Sequence, residues 1–217
     1  MGGCLSRIAG VGLLAVLAGG GYHYMRLHGL VSARNALLTR QAPLSLAGLK
    51  HDGAEHFSPA ENLERLELSE LRVASEHARN FRTPLRIAMY SFTDRVLAEV
   101  LIEEADRGAV VELYRDSEQY ETEERNGARF RDGSVSSLFR GHSNIHVRIK
   151  PASRGDLMHL KVWTDGMVLR EGSANWSPGG LKRQDNNLRF TENPEEVKAF
   201  LTDFDAIWNR PGNLVVQ

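Results

Sequence analysis

Met158-His-Leu-Lys-Val-Trp-Thr-Asp-Gly-Met-Val-Leu-Arg-Glu-Gly-Ser-Ala-Asn-Trp-Ser177 is the most informative stretch of this 217-residue chain. His159 and Lys161 stand two apart in a β-type run, so their side chains leave one face of a strand. Asp165-Gly166 is a two-residue hairpin turn signal, with Met167 to Glu171 as the returning strand. A turn on those two residues sets Lys161 opposite Arg170 and His159 opposite Gly172. Ser173 and Asn175 then fall just past the end of the hairpin, within reach of the His159 side chain. An imidazole, an ammonium, a hydroxyl and an amide converge beside a glycine. The set suits a phosphate. Imidazole is a nucleophile near neutral pH and can carry a phosphoryl group. Lys161 and Asn175 can donate to non-bridging oxygens where charge accumulates. Gly172 allows a substrate to approach the backbone closely. His-x-Lys alone is commonly an exposed strand face, and Gly-Ser-x-Asn alone a turn. It is their succession across one hairpin that points to chemistry.

His159-x-Lys161, Asp165 and Gly172-Ser173-x-Asn175 resemble the HKD signature of the phospholipase D superfamily. The resemblance extends through Phe57-Ser-Pro59, Ile87-Ala-Met-Tyr-Ser-Phe-Thr93 and Arg107-Gly108, and covers roughly residues 55–210. It implies a histidine nucleophile, with Lys, Ser and Asn holding the phosphate. This chain departs from the pattern in one place. The family usually sets one residue more between lysine and aspartate than the Val162, Trp163 and Thr164 found here, so Asp165 is read either as chiefly a turn residue, the favoured reading, or as the catalytic aspartate that orients the histidine. Gln184-Asp-Asn-Asn187 sits about where relatives carry an acidic or amide group that orients the histidine. Asp185 is the first choice for that role and Asn186 its neighbour in competition.

The elements expected upstream fit an α/β order. Ser58 reads as an N-cap with Pro59 at N1 of a helix whose stripe is Leu63, Leu66, Leu71, Ala74 and Ala78. Leu85 to Tyr90 is a strand, Thr93-Asp94 caps a helix to about Asp106, and Gly108 closes it. Val110 to Tyr114 is the next strand, which makes a parallel pair with a crossover. Tyr90 to Thr93 leaves the carboxyl end of its strand, where open sheets bind ligands. Glu118 to Arg131 reads as a charged helix, Gly133 to Asn144 as a loop and Ile145 to Ile149 as a strand. Asn187 to Phe190 is a strand, and Asn193-Pro194 starts a helix burying Val197, Phe200, Leu201, Phe204 and Trp208. The expected fold is a mixed sheet sandwiched between helices, preceded by a membrane-directed segment.

Composition bounds the rest. Net charge is −1, so a polyanion partner must rest on a local patch. Arg125, Arg129, Arg131, Arg140, Arg148, Lys150 and Arg154 face one acid, Asp132, along the sequence, and Lys182 and Arg183 add to that field. Within that run Arg129 and Arg140 are the candidate substrate contacts. The single cysteine, Cys4, excludes an intrachain disulfide and a Cys-based zinc site. His56, His77, His142 and His146 show no metal-ligand spacing, so neither a metal nor another cofactor is expected. Ile8 to Tyr22 is an apolar run after Arg7, shorter than a comfortable span of ~20 residues. Residues 1–25 are therefore a signal peptide, with small residues at Ala15 to Ala18, or an uncleaved anchor bordered by Tyr22, His23 and Tyr24. Gly2 to Ser6 also fits an acylation pattern. Residues 26–54 read as a linker, 55–210 as the domain and 211–217 as a tail.

The activity implied is hydrolysis of phosphodiesters through a phosphohistidine. The single motif copy, the basic run and Asn175-Trp-Ser177, similar to the nuclease-like branch, favour an endonuclease on DNA or RNA. The apolar N-terminus favours a phospholipase D that releases phosphatidic acid from phosphatidyl lipids at a membrane. A degenerate, membrane-tethered binding module is a third reading, opposed by the complete His, Lys, Ser and Asn set. A homodimer sharing its active site would supply a second histidine, which two-motif relatives carry in one chain.

Overall fold

The protein is described by a computed structural model covering residues 49–127, 129, 133–152 and 155–216. The apolar run expected to anchor or export the chain lies outside these residues. Among them no helix is long and apolar enough to cross a membrane.

The described residues build one eight-stranded mixed sheet. Its strands are β1 (Asp52–Ser58), β2 (Leu85–Met89), β3 (Val111–Arg115), β4 (Ile145–Ile149), β5 (Lys161–Thr164), β6 (Leu169–Gly172), β7 (Asn186–Thr191) and β8 (Leu214–Val215). They lie in the order β1-β7-β6-β5-β2-β3-β4-β8. The parallel core β2-β3-β4 follows from crossover helices between its strands. The hairpin β5-β6 and strand β7 extend the sheet in antiparallel fashion from β2. The first layer holds α1 (Leu63–Phe81), α2 (Arg95–Asp106) and the short α4 (Val135–Leu138). Leu63, Leu71, Leu97 and Leu101 from these helices bury against Ile87, Leu113, Trp163 and Phe190 of the sheet. The other face is covered by α6 (Pro194–Trp208), with Phe204 and Trp208 against Ala88 and Tyr114, and Val197 against Val162 and Leu169. The remaining helices are α3 (Ser117–Gly127) and the short α5 (Pro178–Lys182).

The mixed sheet between helices is as expected, with corrections at its edges. Ser58 does not cap a helix: it ends β1, and its hydroxyl donates to the Gln184 carbonyl at 2.7 Å. Pairing with β7 outweighs the local capping preference, and Asn62 takes the cap by accepting from the Arg65 N–H. The expected linker up to residue 54 therefore runs into β1, an edge strand. The expected tail contributes β8, whose Leu214 pairs with Ile149. Within the region read as a loop, Ser134 caps the short α4.

The hairpin turn also differs. Trp163 pairs with Arg170 and Thr164 with Leu169, which leaves Asp165 to Val168 as the connection. Asp165 Oδ1 accepts from the N–H groups of Met167 and Val168, both at 2.8 Å. Thr164 Oγ1 donates to the Val168 carbonyl at 2.6 Å and accepts from the Gly166 N–H. These side chains replace the backbone bonds of a two-residue turn, so the longer loop wins. Continuing this register brings Lys161, not His159, opposite Gly172.

Candidate active site

Lys161 opens β5 opposite Met89, the last residue of β2, so the His-x-Lys pair lies at the carboxyl end of the parallel strands. Lys161 Nζ is 3.3 Å from His159 Nδ1 and 3.4 Å from Nε2, and donates to the His159 carbonyl at 2.7 Å. The two side chains differ in exposure. Lys161 is buried, whereas His159 is open to solvent. Burial, with the Arg170 guanidinium acting in the same direction, lowers the lysine pKa to about 8.

The second half of the motif meets the first through a buried arginine. Arg170 Nη1 donates to the Lys161 carbonyl and Nη2 to the Ala174 carbonyl at 3.1 Å. Its Nε donates to Glu67 of α1, which also accepts from Trp163 Nε1 at 2.9 Å. One guanidinium thus ties the lysine strand to the Ser-x-Asn turn, with a carboxylate from the helical layer to neutralise it. Asn175 Oδ1 accepts from the Ser91 N–H at 3.3 Å, which places Asn175 beside the segment leaving β2. The same segment is fixed by Glu123 of α3, which accepts from the Phe92 N–H at 2.9 Å and is itself paired with buried Arg115.

Ser173 is exposed, and its hydroxyl donates to Asn186 Oδ1 at 3.1 Å and accepts from the Asn187 N–H at 3.0 Å. Asn187 Oδ1 also accepts from the Ser173 N–H at 3.0 Å, so Asn186 and Asn187 are the residues of the Gln184 to Asn187 run that reach the motif. Asp185, the first choice from sequence, is exposed and makes no hydrogen bond or ion pair among the described residues. Asp185 precedes β7, whose first two residues are the ones brought against Ser173. Asp165 lies at the far end of the hairpin, four residues and about 13 Å from the start of β5 at ~3.3 Å per residue. Its Oδ2 is 3.0 Å from His77 Nδ1 on α1, so its place is in the turn and not beside His159.

Gly172 is needed for a different approach than the one expected. A Cβ there would come within 2.6 Å of Leu188 Cα and collide with the Asn187 carbonyl. The close neighbour is the backbone of β7, which this glycine lets run beside Ser173. The basic run is also divided. Arg140 pairs with Glu124 of α3 at 2.8 Å, and Arg125 with Glu121 at 3.6 Å. Arg148 stacks over Trp208 at 4.5 Å and donates to its carbonyl. Arg129 is exposed, and Arg131, Asp132 and Arg154 lie outside the described residues. Counting from Arg125 missed Glu121 and Glu124, which lie just upstream of it. No cluster of three or more His, Cys, Asp or Glu that could hold a metal occurs among the described residues.

A family profile described as "Cardiolipin synthase, PLD-like domain" matches residues 76–208, more than half of the chain. The chain belongs to the phospholipase D superfamily. Mitochondrial cardiolipin hydrolase of Danio rerio is 28% identical over 144 residues, 65% of this chain and 59% of that protein. The protein of the same name from Homo sapiens is 26% identical over 129 residues, 59% of this chain and 47% of that one. This phospholipase D-like chain spans about half the length of the curated relatives it matches. Among solved structures, a phospholipase D family member, Nuc from Salmonella typhimurium, superposes with a TM-score of 0.58 at 22% identity. The match covers 76% of this chain and 97% of that one. NucT from Helicobacter pylori gives 0.55 at 22% identity, over 72% and 94%. These two share the phospholipase D-like fold described above.

Within that superfamily fold, several residues that shape the site carry no motif signal. Glu67, Arg115, Glu123 and Arg170 are charged residues in otherwise apolar surroundings, buried as pairs. A charged residue inside a strand, such as Arg170 after Val168-Leu169, was the available clue. Tyr90 was placed at the ligand-binding end of its strand, but its contacts with the motif depend on tertiary structure.

Proposed function

We propose that the chain is a phosphodiesterase in which His159 attacks phosphorus, forms a covalent phosphohistidine and releases the first alcohol. Water then attacks the phosphoryl group and regenerates the imidazole. Lys161 would offset the charge of the non-bridging oxygens and the Asn175 amide nitrogen would donate to them, with the Ser173 hydroxyl shared between phosphate and Asn186. The observation that carries this reading is the contact of the Lys161 ammonium with both ring nitrogens of a solvent-open histidine. A nucleophile is exposed to substrate with a cation already at its side. In-line displacement also needs an acid opposite the nucleophile to protonate the leaving oxygen. A homodimer with His159 of a second copy facing the first would supply it.

For the substrate, our first reading is a nucleic acid strand. Arg129 and Arg183 are exposed and have no ion-pair partner among the described residues, so they are free to meet backbone phosphates. The second reading is a phosphatidyl lipid. Leu157 and Leu160, on either side of His159, are 42% and 41% exposed, and the curated relatives are named for cardiolipin hydrolysis. The full-length chain should be assayed side by side on single-stranded DNA, on RNA and on vesicles of phosphatidylcholine with cardiolipin. Cleavage of the nucleic acids with intact lipid supports the first reading; release of phosphatidic acid with intact nucleic acid replaces it by the second. No cleavage of any of them, or of a small phosphodiester, removes the phosphodiesterase reading.

A further inference from the structure

Tyr90 follows β2 and its ring meets both members of the His-x-Lys pair. Its centroid lies 4.5 Å from that of the His159 ring, tilted by 56°, and the Lys161 ammonium sits 4.9 Å from it. The ring is held at several points. Its own N–H donates to the Leu160 carbonyl at 2.9 Å, and Gln119 Nε2 donates to its hydroxyl at 3.1 Å. Gln119 lies in the first turn of α3, where its N–H donates to Asp116 Oδ1 at 3.1 Å. Asp116 Oδ2 accepts from the Met158 N–H at 2.9 Å, which fixes the residue before the histidine. Asp116, Gln119 and Tyr90 therefore close a loop around His159, and the hydroxyl is occupied by Gln119 while the ring meets the motif.

We propose that Tyr90 is a positioning residue whose ring fixes the His159 imidazole and holds the Lys161 ammonium charged at the phosphate site. This rests on the phosphodiesterase reading above.

The charges around Lys161 give the ring its importance. Just before its own strand is His159. From β6 comes Arg170, paired with Glu67 of α1. Across β2, the Met89 carbonyl opposite Lys161 accepts from Arg115, which is paired with Glu123 of α3. Glu67 and Glu123 are thus engaged by arginines, Asp116 by the Met158 and Gln119 N–H groups, and among the described residues no carboxylate forms an ion pair with Lys161. What opposes burial and Arg170 is the His159 carbonyl and the negative face of the tyrosine ring. Without that face, less opposes burial and Arg170, and the titration of the ammonium moves below its wild-type position.

The test compares Tyr90→Phe, Tyr90→Leu and pentafluorophenylalanine at position 90 in the full-length chain. The fluorinated ring keeps the shape of Phe and reverses the charge of the face. Two readouts are used: the Lys161 titration by NMR of 13Cε-labelled lysine, assigned by its loss in Lys161→Ala, and the pH profile of kcat on bis-p-nitrophenyl phosphate. Tyr90→Phe should hold the Lys161 titration near that of wild type. The leucine and the fluorinated variants should lower it by about half a unit to one unit, as expected for loss of a cation–π contact. The alkaline limb of kcat should move with it, with KM little changed. An unmoved titration in the fluorinated protein, its fold checked by circular dichroism against Tyr90→Phe, would overturn the proposal whatever happens to activity. Failure of wild type to hydrolyse the diester would instead remove the phosphodiesterase reading, and the titration would still decide the role of the ring.

Discussion

At the scale of single residues, two side chains set how the site responds to substitution and to pH. Lys161 is charged below about 8 and neutral above it, because burial and Arg170 disfavour the ammonium. If its charge serves the transition state, as proposed, kcat should fall as pH rises through that value. The stability consequence has the opposite sign. With the folded pKa depressed from 10.5, the unfolded chain binds more protons between about 8 and 10.5, so this lysine makes stability rise with pH in that window. A kcat profile that stays flat from pH 7 to 10, with Lys161→Ala retaining wild-type turnover, would contradict the assigned role. Gly172 is the second. Its Cβ position is taken by the β7 backbone, so Gly172→Ala must push apart two paired strands. The expected cost is about 1–3 kcal/mol, read from chemical denaturation, with activity lost even where the fold survives. A variant as stable as wild type would show that β7 lies elsewhere.

Elements bring these residues together, and here the sequence was legible in part. The strands β2, β3 and β4 and helices α2 and α6 follow from hydrophobic period and caps: Asp94 accepts from the N–H groups of Val96 and Leu97, and Asn193 from that of Glu195. The motif pair was legible because strand alternation alone puts His159 and Lys161 on one face. The hairpin register was not, since it turns on the Thr164 and Asp165 side chains capturing turn backbone, a choice local propensity does not determine. Ser58 was misread for a related reason: pairing of β1 with β7, far away in sequence, outweighed a good local cap. The ties between elements were the least legible, because Glu67 and Arg170 form their pair only after α1 packs on the β5-β6 hairpin. That pair has a sharp consequence. Glu67→Gln leaves the buried Arg170 charge without its counterion and should cost about 3–5 kcal/mol, whereas Glu67→Leu with Arg170→Met should recover much of that stability. Since the double variant no longer ties the Lys161 and Ala174 carbonyls, it should fold and yet turn over slowly. Full activity in a folded double variant would show that the arginine is structural only.

For the whole molecule, the family match over residues 76–208 gives the superfamily and leaves the substrate to the surface. The basic run that looked continuous in sequence is broken by Glu121 and Glu124 and by Arg148 stacking on Trp208. If a nucleic acid strand nevertheless follows this side, affinity must fall steeply with salt as counterions are released. Arg129→Glu with Arg140→Glu should weaken DNA and RNA binding several-fold while cleavage of a small diester stays near wild type. Salt-independent nucleic acid binding, unaffected by both reversals, would leave the apolar surface at Leu157 and Leu160 as the substrate face. The claim common to both substrates is the covalent step at His159. Its most direct measurement is rapid acid-free quenching of the full-length chain during turnover of bis-p-nitrophenyl phosphate, followed by intact and peptide mass spectrometry. A p-nitrophenylphosphoryl group on His159, stable to base, labile to acid and absent from inactive His159→Ala, is the predicted result. The contradicting result is turnover with no adduct on His159 and activity retained in His159→Ala.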